Sequence, residues 1–115
     1  MVNDSIEYLV GPVADAILLD PDLVLTQSNR VAAACERRFT HNLKDYYSLY
    51  RLGRMLQVTG KLPEATTLLE NAERILRQEI QLHPKNVGSM MYLALTLTRL
   101  GRFREATRIL WRRRD

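Results

Sequence analysis

The sequence predicts an all-α protein of about six helices, packed as antiparallel pairs, with an extended fourth helix. Three observations carry this. Only four Pro and five Gly occur in the 115 residues, and Gly11-Pro12, Pro21, Gly60, Pro63, Pro84 and Gly101 sit at breaks between helical stretches. No stretch alternates apolar and polar residues long enough to argue a strand. And one phrase is written twice: "QVTGKLPEATTLL", residues 57–69, and "TRLGRFREATRIL", residues 98–110, with Gly60 aligned to Gly101 and Ala65 to Ala106.

Taken in order, a first short helix is expected within residues 3–19. Gly11-Pro12 interrupts it, so a second piece starts at Pro12. Asp20-Pro21 reads as an N-cap followed by a Pro in the first turn, opening a helix to about Arg38. Its apolar positions Leu23, Val24, Val31, Ala34 and Cys35 share a broad face. After the loop "FTHN", with Asn42 and Asp45 able to cap, the third helix spans 43–59. There Tyr46, Leu49, Leu52, Gly53 and Leu56 form one face. Gly60 ends it in the left-handed conformation. The fourth helix begins near Leu62-Pro63 and runs to about Leu82, with the stripe Ala65, Leu69, Ala72, Leu76 and Ile80. "HPKN" breaks it. The fifth covers Val87 to Leu100, Gly101 ends it, and the sixth runs from about Phe103 to the C-terminus.

The repeated small residues have a packing reason. Gly53 and Ala94 each lie seven residues before the helix-ending Gly, and Ala65 and Ala106 five after it. A bulky side chain at both places would hold an antiparallel pair apart. Leu49/Met90, Leu52/Leu93 and Leu56/Leu97 then fill the space around the contact. Such a unit cannot bury its apolar face alone and stacks on its neighbour.

The segments "LYRLGRMLQVTGKLPEA" and "MMYLALTLTRLGRFREA", with "LHPKN" between them, resemble the tetratricopeptide repeat. The resemblance covers about two repeats in residues 46–115. "DAILLDPD", residues 15–22, looks like the close of a further, degenerate repeat, while residues 23–45 fit poorly and are too short for a full one. It implies a short right-handed solenoid forming a single domain over 1–115: N-terminal helices in 1–42, one repeat with a lengthened second helix in 43–83, another in 87–115. Three features depart from the family. Gly60 and Gly101 are 41 residues apart against the usual 34. The extra residues, about two helical turns, extend the fourth helix without breaking it. Leu49 and Met90 replace the usual aromatic. Arg113 stands where a small residue is expected, and no capping helix follows.

Function follows from the resemblance rather than from chemistry. In this family the first helix of each pair lines a concave groove. On the matching positions that groove would present Tyr47, Tyr50, Arg51, Arg54 and Gln57 from the third helix, and Met91, Tyr92, Leu95, Thr98 and Arg99 from the fifth. Arg forks onto carboxylates or stacks on rings, and Tyr and Met make good contacts. The expected partner is therefore another protein, bound through a peptide or helix, in an adaptor or scaffold role. The family's clamp for the acidic C-terminal tails of heat-shock chaperones needs Lys and Asn where Tyr50, Arg54, Gly88, Tyr92 and Leu95 stand, which argues against that ligand. In the competing structural reading Tyr46 and Tyr47 cover the N-terminal helices, which themselves fill the groove.

Two further surfaces are legible. Leu76, Ile80, Leu110 and Trp111 are candidates for self-association into a homodimer. Arg104, Arg108 and Arg112 recur every four residues as a basic face, solvated or in contact with an acidic partner or nucleic acid, and the rival function from another class is an RNA-binding helical repeat that uses the Arg/Tyr surface. Charge is concentrated here: residues 101–115 hold six Arg against Glu105 and Asp115, net +4, and the rest of the chain balances. That makes the pI of 9.6 a weak argument for nucleic-acid binding. No enzyme, metal or cofactor signature is present. His41, His83 and Cys35 are isolated, "GKL" at 60–62 lacks a phosphate-loop pattern, and Asp15, Asp20 and Asp22 read as helix-end residues. With no long apolar run, no membrane span is expected. Asp4 and Glu7 argue against a signal peptide, and a lone Cys fits a reducing compartment, so the cytoplasm is the expected location.

Overall fold

The computed structural model describes residues 12–42 and 44–112. The N-terminal part of the first expected helix, Leu43, the side chain of Arg112 and Arg113 lie outside them. The described residues form α1 (Pro12–Leu18), α2 (Pro21–His41), α3 (Tyr46–Val58), α4 (Leu62–Leu82), α5 (Val87–Arg99) and α6 (Phe103–Arg112), with no strand among them.

Local chemistry fixes the boundaries. The Asp20 carboxylate accepts from the backbone N–H of Asp22 at 2.9 Å and of Leu23 at 3.3 Å, so α2 starts at Pro21. It continues to His41, three residues past the expected end, where the Asn42 N–H donates to the Arg38 and Phe39 carbonyls. α3 begins at Tyr46 rather than 43, because Asp45 takes the cap: Oδ1 accepts from Ser48 N and Oδ2 from Ser48 Oγ. Asn86 caps α5 in the same way through Ser89 N. Both α3 and α5 close with paired bonds around a left-handed Gly. Lys61 N donates to Leu56 O and Gly60 N to Gln57 O; Arg102 N donates to Leu97 O and Gly101 N to Thr98 O. Gly60 has φ +83° and Gly101 φ +81°.

Each helix packs on its neighbours in sequence, and α3 also touches α1 and α5. The α3/α4 crossing is close. A methyl group on Gly53 would stand 2.8 Å from the Leu69 side chain. Ala65, Ala72 and Leu69 are fully buried and Ala94 and Ala106 nearly so. One apolar cluster joins α3 to α6 through Leu49, Ala72, Leu76, Leu93 and Leu97. A second joins α1 to α3 through Ala14, Val31, Ala34, Cys35, Leu52 and Met55. Leu68 packs against both. Burial of a Leu or Met of this kind contributes about 1.5–3 kcal/mol. Burial also pushes the Cys35 thiol up to about 12, which marks it as a core residue.

α4 is a single unbroken helix of 21 residues, as expected. The first pair holds more order than its sequence shows. α2 is also 21 residues long, and the same 41-residue spacing separates Pro21 from Leu62 and Leu62 from Phe103. Its buried stripe of Ser28, Val31, Ala34 and Cys35 stands 41 residues before Leu69, Ala72, Ile75 and Leu76. Residues 23–45 fit the repeat poorly in identity, yet α1 and α2 stack on α3 as α3 and α4 stack on α5. The reason is that helix stacking reads the position of buried side chains and not their type.

Candidate functional site

On α3, residues 47, 50, 51, 54 and 57 lie at helical spacing along one face, and on α5 residues 91, 92, 95, 98 and 99 do the same. The two helices bring most of these side chains together. Tyr92 is the hub. Its ring meets Tyr47 edge-on at 4.6 Å and Tyr50 at 5.7 Å, and Tyr46 lies 5.9 Å away. The Arg51 guanidinium lies 5.8 Å from the Tyr92 ring centre and 6.0 Å from that of Tyr47, and it donates to the Tyr92 hydroxyl at 2.9 Å. Tyr46 donates to the Tyr47 hydroxyl.

Arg51 also forks onto a carboxylate. Nε and Nη2 reach Oδ1 and Oδ2 of Asp15 on α1 at 3.1 and 3.3 Å, with Arg51 itself almost fully buried. Burial pulls the Arg51 guanidinium down, but the Asp15 hydrogen bond and the negative charge around it outweigh this, and its pKa rises. Asp15 was legible only as a helix-end residue. It is the residue the sequence reading missed, because nothing in the spacing shows that α1 lands on α3.

Further along the face the charge balance changes. Arg54 Nη1 donates to Gln57 Oε1 at 3.3 Å, Gln57 Nε2 donates to the Arg99 carbonyl at 2.9 Å, and Arg99 Nε donates to the Tyr50 hydroxyl at 3.5 Å. Among the described residues, no carboxylate pairs with Arg54 or Arg99. Burial first, and then repulsion from Arg99, lowers the Arg54 pKa. Two guanidiniums are thus held near each other by neutral groups. Met91 and Leu95 are exposed, and Thr98 spends its hydroxyl on the Ala94 carbonyl. The face therefore grades from a Tyr/Arg/Asp network, in which Arg51 is buried and Tyr47 and Asp15 are exposed, to a basic end flanked by open apolar residues.

The remaining candidates are scattered. Leu76 is fully buried between α3, α4 and α5, and Ile80 is half-buried against the same cluster, so Leu76 is core and cannot contact a second copy. Leu110 and Trp111 are exposed on α6, as are Arg104 and Arg108. Arg102, the nearest Arg to them in the turn before α6, is committed elsewhere: it reaches Glu73 of α4 at 2.6 Å and grips Glu105, which also meets Arg77. Among the described residues no group of three His, Cys, Asp or Glu side chains could hold a metal, and no helix is long and apolar enough to cross a membrane.

No curated protein matches the chain. A family model does: tetratricopeptide repeat, over residues 87–112, which is the α5–α6 pair. With α1–α2 and α3–α4 stacked beneath it at the same 41-residue spacing, the described chain is an all-α array of helix pairs whose last pair matches a tetratricopeptide repeat.

Proposed function

We propose that this chain is a non-catalytic protein-interaction module whose α3/α5 face binds a peptide or helical segment of another protein, with a carboxylate of that segment seated between Arg54 and Arg99. The match to a repeat family of interaction modules supports the general class. The carrying observation for the site is the Arg54/Arg99 pair. These are two guanidiniums on one face, oriented by Gln57 and Tyr50, and without a counter-charge among the described residues. The chain itself supplies a picture of the interaction one turn away, where Arg51 forks onto Asp15. Like charges held together in a partly buried site favour an anion, and each charge-assisted bond is stronger than a neutral one. Tyr47, Met91 and Leu95 remain exposed beside it as apolar contacts.

The test is selection of binders from a random peptide-display library, followed by titration of the recovered peptides. The expected peptides carry an acidic residue or free C-terminus beside an aromatic or aliphatic one. They should lose roughly a hundredfold in affinity against Arg54→Glu with Arg99→Glu, about the loss for charge pairs broken at an interface. Helicity should hold and the melting temperature should change little, since Arg99 is exposed and Arg54 is only half-buried and paired with no carboxylate among the described residues. Recovered peptides without acidic groups, or undiminished binding to the double variant, would sink the reading.

A further inference from the structure

The basic end of the α3/α5 face holds two cations and a hydroxyl whose proton is unspent. Arg54 is half-buried on α3 and Arg99 is exposed on α5. Both are oriented by neutral groups. Gln57 accepts from Arg54 Nη1 at 3.3 Å and donates to the Arg99 carbonyl at 2.9 Å. The Tyr50 hydroxyl accepts from Arg99 Nε at 3.5 Å. The Arg99 charge helps to lower the Arg54 pKa, so the two guanidiniums are close enough to repel. Their other N–H groups and the Tyr50 proton meet no acceptor among the described residues.

Tyr50 is the group that discriminates between anions. It is only 7% exposed, and its ring meets Tyr92 edge-on at 5.7 Å, so its hydroxyl is fixed beside Arg99. A carboxylate brings one negative charge and two oxygens in a plane. It leaves one of the two positive charges unbalanced and has no oxygen to spare for Tyr50. A phosphate monoester brings close to two negative charges at neutral pH and three oxygens in a tripod. It balances both guanidiniums and has a third oxygen for the Tyr50 proton. A phosphodiester carries one charge and two free oxygens, so a nucleic-acid backbone gains no more here than a carboxylate does. Tyr47, Met91 and Leu95 are exposed beside the pair and suit the side chains that flank such a group on a polypeptide.

We propose that Arg54, Arg99 and Tyr50 form a phosphate-recognition site, and that the partner segment binds most tightly when one of its residues is phosphorylated. This rests on the reading of the α3/α5 face as a protein-binding surface, and it makes binding a response to modification of the partner. The experiment uses three degenerate peptide libraries that differ only at a central phosphoserine, glutamate or serine. Each is passed over the immobilised protein, and the retained sequences are resynthesised with each central residue and titrated. The phosphoserine form should bind at least roughly tenfold tighter than the glutamate form, through the added charge-assisted bonds, and the serine form should bind weakest. Tyr50→Phe keeps the ring and should keep helicity. It should remove most of the phosphoserine advantage and leave glutamate affinity unchanged. Arg54→Glu with Arg99→Glu should abolish binding of both. Equal affinity for phosphoserine and glutamate, both lost in the double variant, would overturn this inference while the carboxylate reading stands. Undiminished binding of both to the double variant would sink the two together. A full phosphoserine advantage in Tyr50→Phe would also overturn the inference, as would a 5′-phosphorylated single-stranded RNA that displaces the phosphopeptides at equal concentration.

Discussion

Gly53 shows most directly how a single side chain sets the fold. Within a helix, replacing Gly by Ala ordinarily stabilises by about 1 kcal/mol, because the unfolded chain has less freedom to lose. Here the added methyl would stand 2.8 Å from both Cγ and Cδ2 of Leu69, which is fully buried, so that side chain or the helix itself has to shift. Overpacking of this kind costs about 1–3 kcal/mol. Gly53→Ala should therefore destabilise the protein in urea titration despite its better helix propensity, and a stabilised variant would show that α3 and α4 are less tightly closed. The polar side chains of the candidate site obey a different rule. Arg54 and Arg99 could be placed on one face from helical spacing and the repeat register, but the Arg51–Asp15 fork could not. It joins residues 36 apart, across helices whose relative register no local pattern encodes.

At the scale of elements, the turns were the most legible part of the sequence. Gly60 and Gly101 each stop a helix, and each sits in the left-handed region with open space around it. A methyl group on either meets nothing within 4 Å, so the cost of Ala there is backbone strain alone, about 1–2 kcal/mol. Gly60→Ala and Gly101→Ala should each lower stability by that amount. Asn, which tolerates the conformation better, should recover part of it in both thermal melts. Equal losses for Ala and Asn would mean that something other than φ is being tested. The first pair was less legible for a definite reason. α2 keeps the buried register of α4 but holds Ser28 where α4 holds Leu69, and no Gly ends α1. The phrase that betrays the repeat is absent, although the 41-residue spacing that builds it is kept.

Over the whole molecule the question is whether the stacked pairs behave as one. Arrays of this type hold together through neighbour contacts alone, so their stability is a sum of units and interfaces. Two apolar clusters divide the described chain, one in α1–α3 and one in α3–α6, and α3 contributes to both. Leu68 of α4 is the side chain that packs against each. Trp111 senses only the far end of the array, whereas far-ultraviolet circular dichroism averages all helices. In the wild type the two signals should therefore report one coincident transition in denaturant, as a coupled unit of this size does. Leu68→Ala should cost about 2 kcal/mol as a partly buried Leu truncation. It removes the bridge and leaves most of each cluster in place. The Trp and circular dichroism midpoints should then separate, with the α5–α6 end and the α1–α2 end unfolding at different denaturant concentrations. Coincident transitions in the variant would show that the α3 backbone, and not the Leu68 contact, carries the coupling between the two halves.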